Sequence, residues 1–328
     1  MSEVWCKVPS SSANLGPGFD VFSMALSEPT LFIGAKFTDS PAPVEIDVVA
    51  GKYANEISLS PEKNAAGIAA NLLLRKLQLN KHVKIMIKAN IPVRKGLGAS
   101  GAEAVGAIVA LSALFELDIK PMEVVELASS VEPEGHADNV AASMLGGINI
   151  ISRLNGKLDL LTLQPPTNLG LVVIVPNIAK VSTESARRVI PSMVKMRDCV
   201  RNVSQASMIV AGLLYGDLGR VFRYVSFDYV VEASRADAGV YGEGYSWKTL
   251  LEEKQTLLDE YNVALTISGA GPSRLLWYDL YENPENTPGR PIDKAVKLVT
   301  DNLEKHGYKV EEIIYTRPAR QGATLVTF

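Results

Sequence analysis

Residues able to do chemistry are concentrated in Ala89–Leu117, reading ANIPVRKGLGASGAEAVGAIVALSALFEL. Gly96, Gly98 and Gly101 stand ahead of a helical pattern that begins near Ser100. Its apolar and small residues Ala102, Val105, Val109, Ser112 and Phe115 recur three and four apart, as one face of a helix requires. Glycines allow a tight turn in which no side chain shields the backbone. The free N–H groups of the first helical turn, with the helix dipole behind them, then form a seat for an anion such as phosphate. Ser100 is placed to offer its hydroxyl to that phosphate or to magnesium. A tight turn holding nothing is the plain alternative.

Two familiar glycine signatures compete for this loop. Gly96-Leu97-Gly98-Ala99-Ser100-Gly101 satisfies G-x-G-x-x-G, the dinucleotide fingerprint, but no strand ending in Asp or Glu follows at the required distance. A Walker A loop fails because no lysine follows the last glycine. An anion-holding loop of another type remains.

Three further segments carry polar groups in apolar surroundings. Ser10-Ser11-Ser12-Ala13-Asn14-Leu15-Gly16-Pro17-Gly18-Phe19-Asp20 packs hydroxyls, an amide, glycines and a carboxylate after a strand-like run. Its Asp20 suits a substrate amine or a structural arginine. Glu132-Pro133-Glu134-Gly135-His136-Ala137-Asp138-Asn139 crowds acidic, imidazole and amide groups before the apolar stretch Val140–Leu145. Here Asp138 suits a helix cap, and His136 a hydrogen-bonded loop position. Magnesium beside phosphates needs only one or two carboxylates, and Glu126, Glu132, Glu134 and Asp138 are all in reach along the chain. Ser182/Thr183 resembles a helix start with Arg187 and Arg188 one turn in. Arginine forks suit carboxylate or phosphate, although a solvated face is the default.

Around these segments the patterns predict strands at Val4–Val8 (ended by Pro9), Leu31–Phe37, Val44–Val49, Val83–Ile87, Ile148–Ser152, Leu158–Leu163, Leu169–Val175, Val263–Ser268, Leu275–Tyr278, Val310–Thr316 and Ala323–Phe328. Helices are predicted at Asn64–Leu79, Glu123–Ser130, Cys199–Leu214, Trp247–Tyr261 and Ile292–His306. Two prolines, Pro165-Pro166, mark the boundary between domains at 1–165 and 166–328, and the strand–helix mixture is α+β. The chain of 328 residues is 47% hydrophobic and 21% charged, with a formal charge of -3, so small molecules are expected as partners and nucleic acid is not. No apolar run approaches the roughly 18 residues of a membrane span, and no export signal opens the chain. With two cysteines, Cys6 and Cys199, no disulfide framework forms and a cytoplasmic location is expected.

Taken together and in order, PSSSANLGPGFD (Pro9–Asp20), PVRKGLGASGA (Pro92–Ala102) and SGAGPS (Ser268–Ser273) resemble the three motifs of the GHMP small-molecule kinases (galacto-, homoserine, mevalonate and phosphomevalonate kinases). SSANLGPGFD and EGHADNVAASMLGG are closest in kind to the homoserine kinase branch. The resemblance implies a ribosomal-protein-S5-domain-2-like N-terminal domain and a ferredoxin-like C-terminal domain. It also implies ATP and Mg2+ as cofactors, a homodimer, and phosphoryl transfer to the hydroxyl of L-homoserine on the way to threonine. A relative acting on another small hydroxylated metabolite is the alternative.

The resemblance also assigns roles. ATP would be held by Asn64, Pro92, Lys95, Gly96, Leu97, Gly98, Ala99, Ser100, Gly101 and Ala102, and the metal by Ser100 and Glu126. The substrate would be held by Asn14, Asp20, His136, Asn139, Thr183, Arg187 and Arg235, with Asp20 on its amine and Arg235 on its carboxylate. Asn139 and Ser100 would be the catalytic pair. In mevalonate kinase relatives the Asn139 position is an aspartate taken as the base. Asparagine accepts no proton, so alignment and charge neutralisation are expected to carry the reaction. The loop departs from the usual G-L-G-S-S-A in having Ala99 and Gly101, and it keeps the serine assigned to magnesium.

Overall fold

The first strand does not stop at Pro9. In the computed structural model, which describes residues 3–178, 183–285 and 287–327, β1 runs Val4–Ala13 with Ser10, Ser11 and Ser12 fully buried. The missing N–H of Pro9 is tolerated because the neighbour on one side, a short strand at Thr324–Val326, pairs only with Trp5–Lys7. The expected loop therefore begins at Asn14.

The elements then follow as β2 (Phe22–Phe37), β3 (Val44–Ala50), α1 (Ala65–Lys76), β4 (Val83–Lys88), α2 (Ala99–Leu114), α3 (Pro121–Ser129), α4 (Asp138–Leu145), β5 (Ile148–Leu154) and β6 (Lys157–Leu163). After them come β7 (Leu169–Pro176), α5 (Thr183–Arg188), α6 (Met196–Tyr215), α7 (Leu218–Val225), α8 (Val231–Asp237), α9 (Trp247–Tyr261), β8 (Ala264–Ile267), β9 (Arg274–Asp279), α10 (Pro291–Lys305), β10 (Val310–Thr316) and β11 (Thr324–Val326). Two compact units result, 1–12 with 23–162 and 319–328, and 13–22 with 163–318. Against an expected cut at 165/166, the chain changes unit at 12/13, 22/23, 162/163 and 318/319.

In the first unit the described residues form a seven-stranded sheet ordered β11-β1-β2-β4-β3, with β5 joined to β2 and β6. The β3–β4 pair is parallel and α1 is its crossover, while β2 and β4 run antiparallel. Helix α2 reads as small and apolar on every side because it is buried nearly all round, among α1, α3 and α4. Gly106 shows how closely it lies on the sheet, since a Cβ there would be 2.5 Å from Cγ1 of Ile33. One acidic residue, Glu103, is carried into this packing and is buried.

The second unit has an antiparallel four-stranded sheet among the described residues, ordered β10-β7-β9-β8. Every residue of the central β7 is buried, as its unbroken apolar run predicts. Leu250 and Leu257 of α9 and Ile292, Ala295, Val299 and Leu303 of α10 fill the core against Val172, Ile174, Leu265 and Leu276. Ser246 caps α9 by accepting from the Thr249 N–H at 3.3 Å, and Asn262 ends it in the left-handed region at φ 51°. Both units mix helices and strands, so the chain is α+β. Among the described residues no helix is long and apolar enough to cross a membrane.

Candidate active site

In the first unit, the chain leaving β4 turns through Gly96 (φ 80°) and Gly98 (φ 67°) before α2 begins at Ala99. Gly98 is required twice over. Its backbone is left-handed, and a Cβ would lie 2.0 Å from Oγ of Ser11 and 2.9 Å from Oδ1 of Asn139. The first-turn N–H groups of α2 thus open beside side chains from β1 and α4.

Those side chains form a closed chain of contacts. Ser100 Oγ donates to Glu132 Oε1 at 2.7 Å. The other Glu132 oxygen is 3.6 Å from Nε2 of His136, whose Nδ1 is 2.9 Å from Asp138 Oδ1. Asp138 Oδ1 also accepts from the backbone N–H of Asn139 at 2.7 Å. Asn139 Oδ1 accepts from Ser11 Oγ at 2.9 Å, and the Ser11 N–H donates to the Leu97 carbonyl in the glycine loop at 3.1 Å. The ring therefore starts on the loop and returns to it. Asp138 begins α4 and Ala137 is its N-cap, so the Asp138 carboxylate serves His136 and Asn139 and is not the N-cap residue.

Glu103, one turn beyond Ser100 on α2, is a second buried acid. Burial and the nearby Glu132 carboxylate push it up to about 8, against the opposing N–H of Ala65. Asn64 caps α1, accepting from Gly67 N–H at 3.1 Å and donating to the Ser58 carbonyl at 3.1 Å. The expected metal residue Glu126 does not enter this arrangement. It lies exposed on α3, and the carboxylate that meets Ser100 is Glu132, carried inward by the turn after that helix. A buried acid beside a serine hydroxyl offers the hard oxygen donors that magnesium takes, so the residues fit that ion.

In the second unit, residues 14–20 form a loop with Asn14 (φ 73°) and Asp20 (φ 58°) in the left-handed region. Gly16 is pressed so tightly that a Cβ would lie 2.0 Å from the Val225 carbonyl oxygen. Asn14 staples the loop: Nδ2 donates to the Gly269 carbonyl at 2.8 Å and Oδ1 accepts from Asp20 N–H at 3.3 Å. Arg187 on α5 donates to both Asp20 oxygens, at 2.6 and 2.9 Å, a bidentate fork. Phe19 lies under both guanidinium groups, 5.0 Å from Arg187 and 5.4 Å from Arg235. Arg235 is buried, donating from Nε to the Ala186 carbonyl at 3.0 Å and from Nη1 to the Gly269 carbonyl at 3.3 Å. In the same unit, Lys254 is buried against Glu232 and donates to the Ser226 carbonyl at 2.7 Å, while Glu232 accepts from Ile267 N–H at 2.9 Å, tying α8 to β8.

This geometry can be set beside known proteins. Residues 64–147 match the family model for the GHMP kinases N-terminal domain. The homoserine kinase of Methanococcus maripaludis is 34% identical over 277 residues, 83% of this chain and 87% of that protein. The homoserine kinase of Methanococcus vannielii is 36% identical over 278 residues, again 83% and 87%. The chain belongs to the homoserine kinase family. The crystal structure of homoserine kinase from Cytophaga hutchinsonii has the same fold, with a TM-score of 0.83 at 23% identity over 99% of this chain and 98% of that one.

Within this homoserine kinase family member, Gly98, Ser100, His136 and Asn139 meet in the first unit, and Asn14, Asp20, Arg187 and Arg235 meet in the second. Thr183 opens α5, but its side chain, like all of Ser182, lies outside the described residues. Ser11, Glu103, Glu132 and Asp138 are given no role by the resemblance, although Glu132 and Asp138 were among the carboxylates within reach of magnesium along the chain. Glu103 had a signal, being the one acid in an otherwise small and apolar helix, three residues after Ser100. Ser11 had none beyond its place in the first motif, because its partner Asn139 is 128 residues away.

Proposed function

We propose that this chain transfers the γ-phosphoryl group of ATP to the side-chain hydroxyl of L-homoserine, giving O-phospho-L-homoserine for threonine synthesis. The hydrogen bond between Ser100 and Glu132 at the head of α2 carries the reading, because it puts a hydroxyl and a buried carboxylate beside an anion-binding helix end. Backbone N–H groups of the glycine loop would cradle the phosphates, and Ser100 and Glu132 would hold magnesium, Glu132 in place of Glu126. When bound, the ion neutralises charge on the phosphate oxygens.

Asn139 cannot act as a base, so its amide orients the acceptor hydroxyl, and Ser11 fixes that amide by donating to its oxygen. In the second unit, Asp20 and Arg187 pair with each other. A zwitterion can replace each for the other, its ammonium meeting Asp20 and its carboxylate a guanidinium. Two Arg235 donors are already spent on carbonyls, which leaves the outer donors of its fork for that carboxylate. A coupled assay with ATP, magnesium and a panel of L-homoserine, L-threonine, mevalonate and inositol tests the proposal. Homoserine should be turned over far faster than the others; preference for any other member of the panel would overturn it.

A further inference from the structure

The third glycine motif does more than turn the chain. In the second unit, Ser268–Ser273 reverses direction between β8 and β9. The Ser268 N–H donates to the Ser273 carbonyl at 2.9 Å, and the Gly271 N–H to the Ser268 carbonyl at 2.8 Å. One oxygen of this turn, the Gly269 carbonyl, accepts from Asn14 Nδ2 at 2.8 Å and from Arg235 Nη1 at 3.3 Å. Asn14 Oδ1 in turn accepts from the Asp20 N–H at 3.3 Å. Both ends of the proposed zwitterion clamp, Asp20 for the ammonium and Arg235 for the carboxylate, are therefore aimed from a single carbonyl.

Arg274, the first residue of β9, has no exposed surface. Taking a guanidinium out of water is costly unless its donors are met. Its Nη1 donates to the Pro272 carbonyl in the turn at 2.6 Å, and its Nη2 to the Tyr241 carbonyl at 3.3 Å. The guanidinium also lies 4.7 Å from the centre of the Tyr245 ring. Its charge is answered by the buried Glu253, whose carboxyl is pushed up by burial and drawn down by Arg274. Tyr241 fills the space beside Gly271 (φ 80°), where a Cβ would be 2.9 Å from Cδ1 and Cε1 of the ring. The neighbouring Val240 N–H donates to the Arg235 carbonyl at 2.9 Å. These contacts close a circuit. It runs from the Arg235 backbone through Val240 and Tyr241 to Arg274, on to Pro272, and back through Gly269 to the Arg235 side chain. A planar fork with two separate nitrogens can meet one carbonyl from each segment.

We propose that Arg274 is a positioning residue for the acceptor molecule. By fastening the turn to the loop that carries Tyr241, it sets the direction of the Gly269 carbonyl, and through it the places of Asp20 and Arg235. This rests on the reading of those two residues as the acceptor's clamp, and it adds what holds them. The residues expected to hold ATP belong to the first unit, so nucleotide affinity should not depend on Arg274.

Arg274→Met alone would remove both tethers but leave Glu253 buried without its cation. The test therefore uses Arg274→Met together with Glu253→Gln, in which both charges go at once. This double variant should keep the wild-type circular dichroism and a similar thermal midpoint. Steady-state kinetics should show the KM for L-homoserine raised at least ~10-fold, with kcat within about threefold and the KM for ATP unchanged. Calorimetry should show the affinity for L-homoserine falling by the same factor. Arg274→Lys covers the case in which the neutral pair does not fold. It keeps a charge for Glu253 but replaces two nitrogens by one, so its KM for the acceptor should rise as well. A folded variant with the wild-type KM for the acceptor, or one in which the constants for acceptor and ATP worsen together, overturns the proposal. A wild-type chain that does not phosphorylate L-homoserine is a different result. It overturns the substrate reading, and Arg274 is then judged by the same KM split on the acceptor that the panel selects.

Discussion

Glu103→Gln should make the protein more stable above neutral pH, and the size of the gain follows from where the side chain sits. Burial, with Glu132 nearby, raises the Glu103 carboxyl from 4.5 to about 8 in the folded chain. Well below pH 4.5 both folded and unfolded chains carry its proton, and the group contributes nothing to the pH dependence. Between 4.5 and about 8 the unfolded chain gives up the proton while the folded one keeps it, so stability falls as pH rises. At ~1.36 kcal/mol per pH unit the full loss is roughly 5 kcal/mol, complete once the folded carboxyl also ionises. Glutamine has nearly the same shape, keeps an acceptor for the Ala65 N–H and cannot ionise. Urea unfolding of both proteins in EDTA, from about pH 5 to about pH 9, reads the difference directly. The variant should gain several kcal/mol on the wild type across that range. A gap that stays constant with pH would refute the reasoning, because it would mean that Glu103 ionises in the folded chain as it does in water.

Four other outcomes follow from the same contacts. Ser11→Ala removes the bond that fixes the Asn139 amide, so turnover should fall about tenfold with the KM for ATP little changed, as measured by steady-state kinetics. Glu132→Gln should raise the magnesium needed for half-maximal activity at least ~10-fold, and Glu126→Gln should not, which a magnesium titration separates. Gly98→Ala strains a left-handed residue and drives a methyl against Ser11 Oγ. It should cost about 1–3 kcal/mol in stability by denaturant unfolding and weaken nucleotide binding by calorimetry. Lys254→Met leaves Glu232 buried without its cation and should destabilise the chain by about 3–5 kcal/mol, seen as a lower thermal midpoint.

Where local pattern decides structure, the sequence was a good guide. Trp247–Tyr261 has a serine before it and an asparagine after it, and α9 occupies those bounds. Val310–Thr316 alternates, and β10 matches it residue for residue. Misreadings came where distant partners overrule local cues. Pro9 looks like a stop, yet β1 passes through it because the neighbouring three-residue strand ends before Pro9 needs a donor. Leu31–Phe37 is only the second half of the sixteen-residue β2, since Pro29 hides its continuity with Phe22. Helix α8 (Val231–Asp237) likewise depends on a residue before it, Asp228, which accepts from the N–H groups of Val230, Val231 and Glu232. The surroundings of Ser100 were equally hidden from local pattern. A helical register puts Glu126 in view, and the turn after α3 brings Glu132 to Ser100.

The chain's repeated change of unit bears on how the protein can be made. Asn14 emerges from the ribosome 255 residues before the carbonyl it must hold, and Trp5 waits for Val326. Neither unit can close while the nascent chain stops near residue 162, so a half-length translation product should be recognised as unfinished and offered to chaperones.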